Sequence, residues 1–123
     1  MINEKSRVYG KTKYISINEL KSLFKDKELD FIKIALLFGS RARGDYHTKS
    51  DYDFAVLAKD DFKSEWGLKS AIYLKLNEFL GLDDCDIDIV DLKNAQSSII
   101  NDIKSCHIIL KGSEGEVSRL FAK

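Results

Sequence analysis

Gly39-Ser40-Arg41-Ala42-Arg43-Gly44-Asp45-Tyr46-His47-Thr48-Lys49-Ser50-Asp51-Tyr52-Asp53 is the stretch on which the fold of this 123-residue chain turns. The apolar run Ile34-Ala35-Leu36-Leu37-Phe38 leads into it, and Phe54-Ala55-Val56-Leu57-Ala58 leads out. The pattern reads as strand, Gly-Ser turn, short polar excursion and second strand. Side chains on a strand alternate faces, so Asp51 and Asp53 point the same way, roughly 6.5–7 Å apart at Cα. Two carboxylates so placed can converge on one or two hard cations. Gly39 lets the chain turn tightly. Ser40 offers a hydroxyl, and the N–H groups of a following helical turn would face an anion. Arg41 and Arg43 add positive charge beside it. A phosphate grip and a metal grip thus belong to one unit, ten residues apart.

The length suits one small domain with a single core. Apolar residues make up 44% and charged residues 33%, an ordinary soluble balance. Lys plus Arg equals Asp plus Glu, 20 against 20, so net charge carries no general nucleic-acid footprint and phosphate binding should be local. Two cysteines, Cys85 and Cys106, and two histidines, His47 and His107, are too few for a disulfide framework and lack zinc spacing. Reduced thiols in a cytoplasmic protein are expected. No apolar run approaches the ~18 residues of a membrane span, and the start does not resemble a signal peptide.

Residues 1–14 carry Lys5, Arg7, Lys11 and Lys13 against Glu4, which reads as a solvated basic tail. Ser16-Ile17-Asn18-Glu19 is a capping box that starts a helix over 17–25, with Ile17, Leu20 and Phe24 on one stripe. A strand is expected over 31–38, continuously apolar at its end as if covered on both faces. A second follows at 51–58, then a polar loop. Residues 65–80 read as a helix with Leu68, Ile72 and Phe79 on its buried side, supported by Ala71, Leu76 and Leu80. Gly81 stops it. Trp66 reads as a packing residue near its start.

Cys85-Asp86-Ile87-Asp88-Ile89-Val90-Asp91-Leu92 alternates polar and apolar and reads as a strand. Asp51 and Asp53 need a third carboxylate to complete a metal cage, and Asp86 and Asp88, on one face, are both candidates. Otherwise Asp86 reads as a solvated strand-start acid. Asp91 reads as the N-cap of a helix over 93–104 carrying Ala95, Ile99 and Ile103. A last strand over 106–110, punctuation by Gly112 and Gly115, and a terminal helix over 116–122 complete the chain. Three decoys fail. Arg43-Gly44-Asp45 is an adhesion tripeptide, but it lies inside the motif loop of a chain expected to be intracellular; Asp51-Tyr52-Asp53 runs into an apolar strand, not an EF-hand loop; His47 reads as a solvated loop residue.

The unit Gly-Ser, ten residues, Asp-x-Asp resembles the signature of the DNA polymerase β-type nucleotidyltransferase superfamily. The resemblance implies an α/β (α+β) nucleotidyltransferase fold over 1–123, with a mixed central sheet flanked by helices. Within that superfamily the short chain is similar to the minimal nucleotidyltransferases, the antitoxin half of modules whose toxin is a HEPN-domain ribonuclease. The run Asp88-Ile89-Val90-Asp91-Leu92 looks like the family's third-acid segment, which favours Asp88 over Asp86. The resemblance further implies that Gly39 and Ser40 hold the β- and γ-phosphates of ATP. By the same likeness Asp51, Asp53 and Asp88 hold two Mg²⁺ ions, and Arg41 or Arg43 neutralises charge on the leaving group. It implies transfer of AMP to a tyrosine of a HEPN toxin partner, with the chain in a homo- or hetero-oligomer. Nothing remains beyond the core to bind a second substrate, so a partner should supply the missing wall. Two other classes fit less fully: an aminoglycoside-type small-molecule nucleotidyltransferase, and an antitoxin that only masks its partner. The intact acidic triad argues against the last.

Overall fold

A computed structural model describes residues 7–8, 11–12, 14–46, 50–62, 67–82 and 86–122. His47, Trp66, Cys85 and most of the basic N-terminal stretch lie outside the described residues. Part of that stretch is ordered into structure. Strand β1 (Arg7–Val8) pairs antiparallel with β2 (Lys11–Thr12).

Helix α1 (Ile17–Phe24) begins where the capping box predicts. The Ser16 hydroxyl accepts from the Glu19 N–H, and the Glu19 carboxylate accepts from the Ser16 N–H. A short 3₁₀ turn, Lys27–Leu29, follows, and then β3 (Ile32–Phe38). Helix α2 is one turn, Ser40–Arg43, and β4 spans Tyr52–Ala58. Then come α3 (Gly67–Leu80), β5 (Ile87–Asp91), α4 (Ser97–Ser105), β6 (Ile108–Lys111) and α5 (Glu114–Phe121).

The main sheet has the order β5-β4-β3-β6. β3 pairs antiparallel with both β4 and β6, while β4 and β5 run parallel. The sheet is therefore mixed, with helices as its cover, in agreement with the expected fold class. Alternation along β3 and β4 divides the core. Ala35, Leu37, Tyr52, Phe54 and Val56 face one cluster with Leu20, Phe24, Ile72 and Leu76. Ile34, Leu36, Phe38 and Ala55 face the other, with Ile103 and Val117. Both faces of the two central strands are covered, which explains their unbroken apolar runs.

The helices correct several readings in detail. Phe79 is 48% exposed and lies under the Lys75 ammonium, because Leu76 and Leu80 take the core side of α3 in its place. Gly81, at φ 70°, closes that helix as expected, its N–H bonding the Asn77 carbonyl. Helix α4 starts four residues late. Asp91 does not cap it: its carboxylate accepts from the Lys93 N–H and the Asn94 side chain, folding residues 92–94 into a turn. Gly115 lies inside α5, since a second capping box, Ser113 with Glu116, starts that helix earlier than the glycine suggested.

One long-range bond ties α1 to the sheet. The Tyr52 hydroxyl, buried, accepts from the Ile15 N–H at 2.7 Å. Tyr52→Phe strips that buried donor of its partner and is expected to cost about 1–3 kcal/mol. Urea unfolding checks this; an unchanged midpoint would show that another acceptor takes over.

Candidate active site

The site is assembled where β3 ends and β4 and β5 begin. Phe38 stands opposite Asp53 in the β3–β4 register, and Asp53 stands opposite Asp88 in the β4–β5 register. Parallel pairing is what puts the two acids side by side at neighbouring strand starts. Asp53 follows Tyr52, whose ring enters the first core cluster, so Asp53 points to the opposite face of the sheet. Asp51 lies just before the strand, exposed, and Asp88 is exposed too.

Gly39 is fitted to Asp53. Its backbone, at φ 74° and ψ −160°, is one that residues with a Cβ rarely adopt. A Cβ built there would fall 2.2 Å from Asp53 Oδ2. The glycine is thus required twice, for the turn and for the carboxylate lying against it. Helix α2 begins at Ser40. Its carbonyl bonds run from the Ala42 and Arg43 N–H groups to Gly39, and from the Gly44 N–H to Ser40. That leaves the Ser40 and Arg41 N–H groups outside the helix's own bonds, beside the Ser40 hydroxyl.

The carboxyl of Asp53 is pushed up from 3.8 to about 6. Burial is the largest cause, followed by the negative charges of Asp88 and then Asp51, with Arg43 pulling the other way. Like charges brought this close resist joint ionisation. Among the described residues no three acidic or imidazole side chains already converge as a ligand cage. The donor set nonetheless suits a hard divalent ion. Three carboxylates surround one end of the sheet, and their mutual repulsion is what a cation would relieve.

The two arginines separate. Arg43 is exposed, pairs with Asp45 at 3.2 Å, and is close enough to act on Asp53. Arg41 is 8% exposed. Its guanidinium donates through Nε and one terminal nitrogen to the Ser50 carbonyl, at 3.2 and 3.0 Å. Its guanidinium carbon lies over the rings of Tyr46 and Tyr52, at 4.3 and 4.5 Å from their centroids. Asp86 also departs from its solvated reading. It is fully buried and engaged with its surroundings, while Asp88, the acid aligned with Asp53, faces outward. The sequence reading named Arg41 as a charge beside the phosphates and did not foresee its place over Tyr46 and Tyr52. Its signal lay in the Asp51-Tyr52-Asp53 alternation, which sends Tyr52 to the buried face between two acids.

A family model described as polymerase beta, nucleotidyltransferase, matches residues 18–115, which contain every acid of the site. The chain belongs to this nucleotidyltransferase family. The nucleotidyltransferase is 32% identical over 107 residues to the protein adenylyltransferase MntA of Shewanella oneidensis, covering 85% of this chain and 70% of that one. Its fold matches a chain of a toxin–antitoxin crystal structure with AMP-PNP, at TM-score 0.69 and 26% identity, covering 88% of this chain and 82% of the other. It also matches a chain from the complex of tri-AMPylated Shewanella oneidensis HEPN toxin with MNT antitoxin. There the TM-score is 0.59 and identity 26%, with 86% and 76% of the two chains covered. The nucleotidyltransferase thus has the expected fold and family, and it is an enzyme of that family.

Proposed function

We propose that this nucleotidyltransferase is a cytoplasmic antitoxin that transfers AMP from ATP to a hydroxyl of a partner HEPN toxin, a tyrosine being the expected acceptor. The observation that carries the reading is the row Gly39–Asp53–Asp88, in which a glycine turn, a half-buried acid and an exposed acid share one sheet end. The likeness to MntA, and to chains from toxin–antitoxin complexes, supports a protein as the acceptor.

Phosphoryl-type transfer is mostly positioning and charge neutralisation. Ser40 and the first N–H groups of α2 would grip the β- and γ-phosphates. Asp51, Asp53 and Asp88 would hold the Mg²⁺ ions. Magnesium bound there would neutralise the triphosphate and polarise the α-phosphate. Asp88, facing outward, would take the proton of the acceptor hydroxyl as its oxygen bonds the α-phosphorus. The bond to the β-phosphate oxygen then breaks, and pyrophosphate leaves beside Arg43.

The test is incubation of the chain with [α-³²P]ATP, Mg²⁺ and the protein encoded beside it. Label is expected on that protein. Asp51→Asn combined with Asp53→Asn should lower the rate about 10³-fold or more. A double variant that labels at the wild-type rate would remove these acids from the mechanism. Label on a small amine-rich sugar, with none on protein, would favour the aminoglycoside-type reading.

A further inference from the structure

We propose that Arg41 is a positioning residue that sets Asp51 through the peptide joining Ser50 to it, and does not touch the nucleotide. The inference rests on the functional reading above only in naming Asp51 as an ion-holding acid. Four observations carry it. First, two guanidinium N–H groups converge on one acceptor, the Ser50 carbonyl, at 3.2 and 3.0 Å. That carbonyl belongs to the peptide plane whose nitrogen is Asp51's, so the fork fixes the plane from which the Asp51 side chain departs. Second, the guanidinium carbon lies over two tyrosine rings, 4.3 Å from the Tyr46 centroid and 4.5 Å from that of Tyr52. A cation held over two aromatic rings and forked onto a carbonyl has little freedom left to swing toward a ligand.

Third, Arg41 is on the wrong side of the sheet for a phosphate contact beside Asp53. It lies on the Tyr52 ring, which packs into the first core cluster, whereas Asp53 points to the opposite face. Fourth, the clamp is anchored. Tyr52, the lower ring, accepts a buried hydrogen bond from the Ile15 N–H at 2.7 Å, so the stack is fastened to the chain entering α1. The result is a continuous strut: Ile15 main chain, Tyr52, Arg41, Ser50 carbonyl, Asp51. It begins in the core and ends at the first acid of the pair. Neither lysine nor glutamine can replace the fork. Lysine keeps the charge but offers a point donor with no plane to stack; glutamine keeps a short plane but loses the charge and the reach.

The experiment compares wild type, Arg41→Lys and Arg41→Gln with Ile103→Val, a core substitution of the second cluster chosen as a control for lost stability. Three quantities are read: Mg²⁺ binding by calorimetry, kcat and KM for ATP, and hydrogen exchange of the amides of residues 50–52. Both Arg41 variants are expected to bind Mg²⁺ at least about fivefold more weakly and to lose about tenfold or more in kcat, with KM for ATP within about twofold of wild type. Exchange at 50–52 should speed up in both and stay unchanged in the Ile103 control. Retention of wild-type values by Arg41→Lys would overturn the proposal, because charge alone would then suffice. So would a raised KM with kcat intact, which marks a direct nucleotide contact, or changes that merely track the Ile103 control. A wild-type protein that neither binds Mg²⁺ nor transfers AMP would end the functional reading instead. The exchange data would still judge the strut, supporting it if 50–52 loosen in the Arg41 variants alone and overturning it if they do not.

Discussion

Gly39→Ala should lose about 10²-fold in kcat while keeping the fold. The new methyl would occupy the position 2.2 Å from Asp53 Oδ2, so the carboxylate must leave it. Relief by backbone movement is closed off in part, because Gly39 starts α2 and its carbonyl accepts from both Ala42 and Arg43. Misplacing a reacting-site group by about an ångström costs on the order of 10²-fold. The backbone at φ 74°, ψ −160° adds about 1–3 kcal/mol of strain for any residue with a Cβ. The two effects are separable. Urea unfolding reports the strain, and kcat under conditions where the variant is fully folded reports the displaced acid. A folded Gly39→Ala protein with wild-type kcat would mean that the Asp53 carboxylate does not need its present seat.

The second large effect runs in opposite directions for stability and activity. Asp53 ionises at about 6 in the fold against 3.8 for the ordinary group, with burial the first cause and Asp88 and Asp51 next. Below pH 3.8 folded and unfolded chains both hold the proton and the residue costs nothing. Between 3.8 and 6 the unfolded chain releases it first, so stability falls as pH rises. Above 6 the loss is complete: 1.36 kcal/mol per pH unit sets a ceiling of about 3 kcal/mol, which solvent screening of this half-buried group reduces to about 1–2 kcal/mol. Asp53→Asn removes that penalty. In chelator, at pH 7.5, the variant is expected to melt up to about 10 °C higher than wild type, and at pH 3.5 to show no gain. Nucleotidyl transfer should fall about 10³-fold in the same protein. Adding Mg²⁺ should raise the melting point of wild type and leave the variant nearly unmoved. A variant less stable than wild type at pH 7.5, or equally stabilised at pH 3.5, would refute the strain assigned to this carboxyl.

What could be read from residue order alone was whatever depends on short spacing. The Ser16–Glu19 capping box, the Ile72–Leu76 face and the two apolar strands around Gly39 are local patterns, and the fold keeps them. The alignment of Asp53 with Asp88 depends on strand pairing across a long connection. The alternation in 85–92 offered two acids; the family likeness favoured Asp88, and the fold sets exposed Asp88 opposite Asp53 while Asp86 is buried. Arg41 shows the other limit. Beside a Gly-Ser turn an arginine looks like a phosphate ligand, but Tyr46 and Tyr52 reach it from five and eleven residues away and turn it inward. Phe79, Asp91 and Gly115 were misread for smaller reasons: a face shared with stronger competitors, a side chain that folds its own turn, and a cap one residue upstream of a glycine's neighbour.

The parallel run of β4 and β5 also decides where this enzyme can accept new mass. The connection between those strands leaves from the far end of β4 and returns to the near end of β5, so its length does not enter the separation of Asp53 from Asp88. The link from β3 to β4 begins at Gly39 and ends at Asp53, and the Phe38–Asp53 pairing is what seats the glycine against the carboxylate. A designer grafting a foreign recognition module onto this scaffold has a splice point between β4 and β5 that leaves the two acids side by side, set by strand direction alone.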